Sequence, residues 1–160
     1  MWFYLLLMAL IVIADRIVKF WALTSLAPVS EAAGISGLFH FHYIENTGAA
    51  FSFLSEHTWI LTVISVIVVA AALYCLIAKK FPRCYDVFIA FIAAGGFANL
   101  FDRVVYGYVV DMFEIDFMRF AVFNVADIGV TCGIFVFIIA LLVDMFFTGK
   151  RGSHSSAKQG

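Results

Sequence analysis

Two carboxylates in this chain, Asp111 after YVV and Asp127 after VA, each stand behind apolar residues and each has polar company. Asn99, Asp102 and Arg103 precede the first, and Asn124 precedes the second. Apolar neighbours lower the local dielectric, and two carboxyls in close proximity cannot both ionise cheaply, so such a pair shares one proton near neutral pH. That is the equipment for activating water. The ionised member takes a proton from water as it attacks a carbonyl; the protonated member donates to the developing oxyanion and later helps the amine leave. No Ser/His/Asp or Cys/His set competes, since His40 and His42 fall in a strand-like run, His57 follows Glu56 and His154 lies in the tail.

The elements that must position these groups belong to a membrane. The 160-residue chain is 64% hydrophobic and 13% charged, too little polar surface for a water-soluble globule, which is normally about a quarter charged. Runs of about 20 apolar residues span the hydrocarbon core as helices, and four exist, at 2–23, 59–78, 87–105 and 128–147. The first has no basic start and carries Asp15, Arg16 and Lys19 where a signal peptide would have small residues, so it is expected to be retained. The expectation is an all-α membrane protein: one domain over 1–148 with four transmembrane helices, an outer loop at 24–58 holding a small extracytoplasmic β-sheet, and an interfacial lid on the periplasmic side at 106–124. The polar tail, 149–160, reads as disordered. Lys79, Lys80 and Arg83 lie between spans two and three, Lys150, Arg151 and Lys158 follow span four, and 24–58 contains no Lys or Arg. By the positive-inside rule both termini are cytoplasmic and the carboxylates fall near the outer face. No basic patch suits nucleic acid.

Along the chain, Asp15 and Lys19 stand at i and i+4 with the acid first, which favours a same-face pair. Such a pair either snorkels to the headgroups or faces the bundle and ties span one to the polar site. The alternating run LFHFHYIEN reads as a strand with His40 and His42 on one face; without a third ligand at suitable spacing they read as polar strand positions rather than a metal site. Asn46, Thr47 and Gly48 signal a turn, with Ala49, Ala50, Phe51 and Phe53 following. Ala93 to Gly96 allow close helix approach. Asn99, Asp102 and Arg103 then sit on one side of the last turns of span three, and Asp127 reads equally as a simple helix cap. Cys75, Cys84 and Cys132 have no metal-like spacing or disulfide framework, and Cys132 reads as a small buried hydrophobe.

Five blocks in order, ADRIVK at 14–19, NTGAAFS at 46–52, GGFANLFDR at 95–103, GYVVD at 107–111 and FNVAD at 123–127, make the sequence closely resemble the lipoprotein signal peptidase (signal peptidase II) family along nearly its whole length. The resemblance implies an aspartic endopeptidase of the bacterial cytoplasmic membrane, acting within membrane lipid as a monomer. It would cleave prolipoproteins just before the diacylglyceryl-modified cysteine, without cofactor or metal. It carries the catalytic dyad onto Asp111 and Asp127, support of dyad and substrate onto Asn99, Asp102, Arg103 and Asn124, substrate contact onto Asn46 and Gly48, and a structural polar pair onto Asp15 and Lys19.

Two rivals predict different patterns. A transporter or proton channel distributes polar residues through the bilayer and often shows repeats, whereas here the ionisable groups gather at one face. A Mg²⁺-dependent lipid transferase needs more carboxylates at one site than are available.

Overall fold

The computed structural model describes residues 1–48 and 57–156, with side chains described as far as residue 147; Ala49, Ala50, Phe51 and Phe53 lie outside the described residues. The element order is α1 (Trp2–Trp21) with a π-helical turn (Ala22–Leu26), β1 (Glu31–Ile35), β2 (Phe39–Asn46), α2 (Thr58–Ile77), α3 (Arg83–Tyr106), β3 (Val109–Ile115) and α4 (Val125–Ser156). Among the described residues three helices are long and apolar enough to cross a membrane, Thr58–Ile77, Arg83–Tyr106 and Val125–Phe147. The first expected span is a 20-residue helix, α1, about 30 Å at 1.5 Å per residue. It has the length but carries Asp15, Arg16 and Lys19 in one end.

The bundle is organised around α3, which packs against α1, α2 and α4. Its inward residues are small: Ala90, Ala93, Ala94 and Ala98 are fully buried. A Cβ on Gly95 would lie 2.4 Å from the carbonyl oxygen of Ala126, and one on Gly133 would lie 2.9 Å from that of Phe88. The two backbones therefore touch where glycine allows it, the close approach by which helices associate in lipid without a hydrophobic drive between them. Large apolar side chains point the other way, as on Trp2, Ile67, Phe135 and Phe146, giving the apolar exterior a bilayer requires. Away from the site, the Tyr85 hydroxyl donates to the Ala140 carbonyl at 3.1 Å and bonds Asp144, pinning α3 to α4.

The sheet is antiparallel, in the order β1-β2-β3. The third strand comes from the segment expected to be a lid. VVDMFEI alternates like a strand, but its first four residues are all buried, so apolar residues on both faces masked the period. Only residues 116–122 remain as a loop, which returns so that Phe123 pairs with Phe113 through backbone bonds of 2.9 and 3.1 Å. Between Phe41↔Phe113 and Ile44↔Asp111 the register shifts by one extra residue on β2, a bulge. In an unbroken strand Phe41 and Asn46, an odd number of residues apart, face opposite ways; the bulge brings Asn46 round to the face that carries Asp111.

At its far end α4 runs on to Ser156, beyond the boundary expected at 148 and into the tail read as disordered. The tail contains no proline, and an established helix adds a hydrogen bond for each residue it fixes.

Candidate active site

Asp127 is held by the start of its own helix. Asn124 precedes the first residue of α4, and its Oδ1 accepts the Asp127 N–H at 2.9 Å, while Asp127 Oδ2 accepts the Asn124 N–H at 3.1 Å. This reciprocal pair is a capping box with Asn and Asp in the two roles. The Ala126 N–H is taken by Asp15 Oδ1 of α1 at 2.9 Å. Asp127 is thus both a cap and a carboxylate of the site.

Asp111 arrives from the sheet. Its Oδ2 accepts Asn46 Nδ2 at 2.7 Å and its Oδ1 accepts Asn124 Nδ2 at 2.6 Å. Asn124 Nδ2 also donates to Asn99 Oδ1 at 3.2 Å, and Asn99 Nδ2 donates to Asp127 Oδ1 at 2.7 Å. Two amides therefore bridge the two acids. Their orientations follow from one fixed donor: Lys19 Nζ has only hydrogens to offer, and it donates to Asn99 Oδ1 at 2.8 Å. Asn99 must then turn its NH₂ toward Asp127. Asp111 is 1% exposed; burial, and next the charge of Asp127, raise its pKa from 3.8 to about 7, against the bonds from Asn46 and Asn124 that lower it.

Behind the amides lies a network of buried charge. Lys19 Nζ meets Asp15 Oδ2 at 3.0 Å and Asp102 Oδ2 at 2.7 Å; Arg16 reaches Asp15 Oδ2 at 2.9 Å and Asp102 Oδ1 at 2.5 Å. Asp15 and Lys19 thus face the bundle rather than snorkel, and Asp102 is the acceptor on α3 that receives them. Two acids and two bases neutralise each other, the condition on which charges survive burial. Asp102 Oδ2 also lies 3.4 Å from the Val110 N–H, tying the network to β3 one residue before Asp111.

The acids open on a cavity of about 590 Å³ bordered by Asn46, Gly48, Asn99, Arg103, Asp111 and Asp127, with a mainly apolar remainder from α2, α4 and the 120–123 segment. Arg103 is loosely held: Nη1 lies 3.5 Å from Ser65 Oγ and Nη2 lies 3.5 Å from the Gly48 carbonyl oxygen, while its buried Nε has no partner among the described residues. Its charge acts on Asp127, Asp111 and Asp102. Such an arrangement has an acid that keeps its proton near neutrality, a second acid beside it, a cation with donors to spare, and an apolar chamber. It can bind an extended apolar chain and add water to a carbonyl carbon within it.

Of the site residues expected from the sequence, Asn46, Gly48, Asn99, Arg103, Asp111 and Asp127 line the cavity, while Asp15, Lys19, Asp102 and Asn124 stand one layer behind it. Sequence reasoning missed Arg16 and Ser65. The third charge in an otherwise apolar α1 was a signal for Arg16; nothing local marks Ser65. Cys132, read as buried, is exposed and lines the cavity with Ile128, one helical turn away, because that face of α4 borders the chamber rather than a neighbouring helix. The two histidines, read as lacking a third ligand, meet Glu114 of β3: His42 Nδ1 lies 2.5 Å from Glu114 Oε2.

Comparison with known proteins gives consistent likenesses. The profile of the signal peptidase (SPase) II family matches residues 7–143. A lipoprotein signal peptidase of Lactiplantibacillus plantarum is 37% identical over 147 residues, covering 92% of this chain and 99% of that one. One from Streptococcus pyogenes is 36% identical over 139 residues, covering 86% and 91%. A solved bacterial membrane enzyme superposes with a TM-score of 0.84 at 29% identity, covering 91% of this chain and 90% of the other, and a second with a TM-score of 0.80.

Proposed function

Because the chain belongs to the signal peptidase II family, whose members process prolipoprotein signal peptides in the membrane, we propose that it is an aspartic endopeptidase that cuts just before the diacylglyceryl-modified cysteine. Asp111 and Asp127 are its catalytic dyad. The observation that carries this reading is the double amide bridge: Asn99 and Asn124 hold two carboxyls of different environment at one cavity wall.

Asp111, with its pKa near 7, enters the cycle protonated. Asp127, at a helix N-terminus where the dipole favours an anion, enters ionised and is the base. It takes a proton from water as the water oxygen bonds to the scissile carbonyl carbon, and Asp111 gives its proton to the carbonyl oxygen. Collapse of the tetrahedral diol breaks the C–N bond; Asp127 passes its proton to the departing amine, and Asp111 recovers one from the diol hydroxyl. Arg103 steadies the charge of the pair and offers its spare donors to substrate carbonyls, while Asn46 and Gly48 contact the substrate backbone. The apolar chamber takes the signal-peptide helix and the acyl chains, which enter laterally from membrane lipid.

The basic residues at 79–83 and beyond 149, against none at 24–58, support a cytoplasmic-membrane enzyme with both termini inside, α1 as a fourth span and the site near the outer face. It works as a monomer. The test is cleavage of a lipid-modified prolipoprotein in membranes. Asp111→Asn and Asp127→Asn, present at wild-type level, should each lose at least about a thousandfold in turnover, the scale on which removing one member of a catalytic set acts. Near-wild-type turnover by either would refute the dyad.

A further inference from the structure

On the sheet face turned away from Asp111, β2 and β3 assemble a second cluster that the hydrolysis does not use. Alternation places His40 and His42 on that face, and the register His40↔Glu114 sets a carboxylate opposite. One ligand atom from each of His40, His42 and Glu114 can be chosen so that all lie within 4.8 Å of one another. His40 Nε2 lies 3.4 Å from Glu114 Oε2, against the about 3.3–3.6 Å that separates neighbouring ligands around tetrahedral zinc with bonds near 2.0–2.2 Å. A second edge, His42 Nδ1 to Glu114 Oε2, is now a 2.5 Å hydrogen bond and must open by about 1 Å to reach that spacing. These side chains are about one-third exposed and can do so by rotation.

Two further observations point at a cation. His40 Nδ1 lies 2.6 Å from Asp116 Oδ1, so the carboxylate fixes which ring nitrogen bears hydrogen and leaves Nε2 aimed at Glu114. Metal-ligating histidines are almost always oriented by such an outer carboxylate. Moreover, three acids face two imidazoles: besides Glu114 and Asp116, Glu31 of β1 pairs with His42 in the sheet and its charge reaches His40. The excess of negative charge draws a cation to this face.

We propose that His40, His42 and Glu114 form a Zn²⁺ site, with water in the fourth position and Asp116 as the positioning residue for His40. The ion joins β2 to β3 and so braces the two strands that carry Asn46 and Asp111. This inference stands apart from the proteolytic reading, because the dyad and the cluster lie on opposite faces of the sheet.

The experiment titrates ZnCl₂ into tag-free, chelator-treated full-length protein in lipid nanodiscs. One equivalent should bind; His40→Gln, His42→Gln and Glu114→Gln should each weaken binding at least tenfold, and Asp116→Asn by less. Asp111→Asn should bind as wild type does. Amide exchange on the unmodified protein gives a readout that does not depend on the variants folding: zinc should slow exchange in β2 and β3 and leave α2 unchanged. Absence of stoichiometric binding would leave a proton-bridged cluster only and overturn the proposal. So would binding unaffected by Glu114→Gln, binding abolished by Asp111→Asn, or zinc without effect on strand exchange.

Discussion

Asp111→Asn should make the protein more stable than wild type at pH 8 and less stable at pH 4. The wild-type carboxyl is 1% exposed, and burial together with Asp127 raises its pKa from 3.8 to about 7. Folding therefore favours the protonated acid. As pH rises above 3.8 the unfolded chain sheds its proton before the folded one, so stability falls through this window and levels off above about 7. At about 1.4 kcal/mol per pH unit, the penalty at pH 8 amounts to about 4 kcal/mol. Asparagine carries no such penalty, but it leaves a mismatch. Asp111 accepts from two amide nitrogens, Asn46 Nδ2 at 2.7 Å and Asn124 Nδ2 at 2.6 Å, and an asparagine can accept one of them while turning its own NH₂ against the other. An unsatisfied buried pair of this kind costs about 1–3 kcal/mol. At pH 4 only the mismatch remains; at pH 8 relief of the charge outweighs it by about 1–3 kcal/mol. Thermal unfolding of both proteins in the same nanodiscs across that range reads the difference directly, and titrations common to both cancel. Curves that run parallel, with the variant below wild type at every pH, would refute the strained carboxyl, and with it the assignment of Asp111 as the acid that stays protonated.

Gly95→Ala puts a methyl group 2.4 Å from the Ala126 carbonyl oxygen; overpacking of this kind costs about 1–3 kcal/mol. Turnover should fall more than stability suggests, since Asn99 and Asp127 ride on the two helices pushed apart, and parallel melting and cleavage assays would show it. Lys19→Met leaves Asp15 and Asp102 buried with only Arg16 between them. Breaking a buried pair this way costs about 3–5 kcal/mol, visible as a collapse in the folded fraction recovered from membranes. In wild type kcat/KM should decline above about pH 7 as Asp111 loses its proton. Asn46→Leu removes a donor that lowers that pKa, so the decline should move to higher pH; a pH–rate profile in which it stays put would detach Asn46 from the acid.

The charges were legible because lipid makes them so. In an apolar chain every unexplained polar residue is conspicuous, and Asn99, Asp102, Asp111, Asn124 and Asp127 could be picked out by that alone. Their division of labour was harder to see. That Asn99 presents its NH₂ to Asp127 depends on Lys19, eighty residues earlier in the chain, and no local pattern encodes such a meeting. β3 was hidden by burial on both faces, which erases the alternation that betrays a half-buried strand. Glu114 became a partner of His40 only through strand register. Cys132 was misjudged because a helix facing a chamber and a helix facing a neighbour are equally apolar in sequence. α1 marks the converse limit: its run at 2–23 reads as a span in the sequence, yet with three charges in one end it is not among the helices apolar enough to cross a membrane by composition.

The extra residue in β2 between Phe41 and Ile44 has a genetic consequence. His40, His42 and Asn46 all occupy even positions, yet the first two face one side of the sheet and the last faces the other. Deleting one residue there would restore an unbroken strand, and the asparagine, then an even number of residues from Phe41, would keep its place opposite Val109 on the side of Asp111. A single-residue deletion at this point of the chain is therefore one that the site can absorb, whereas slipping β2 past β3 by one residue at full length would turn Asn46 to the histidine side and disconnect it from Asp111.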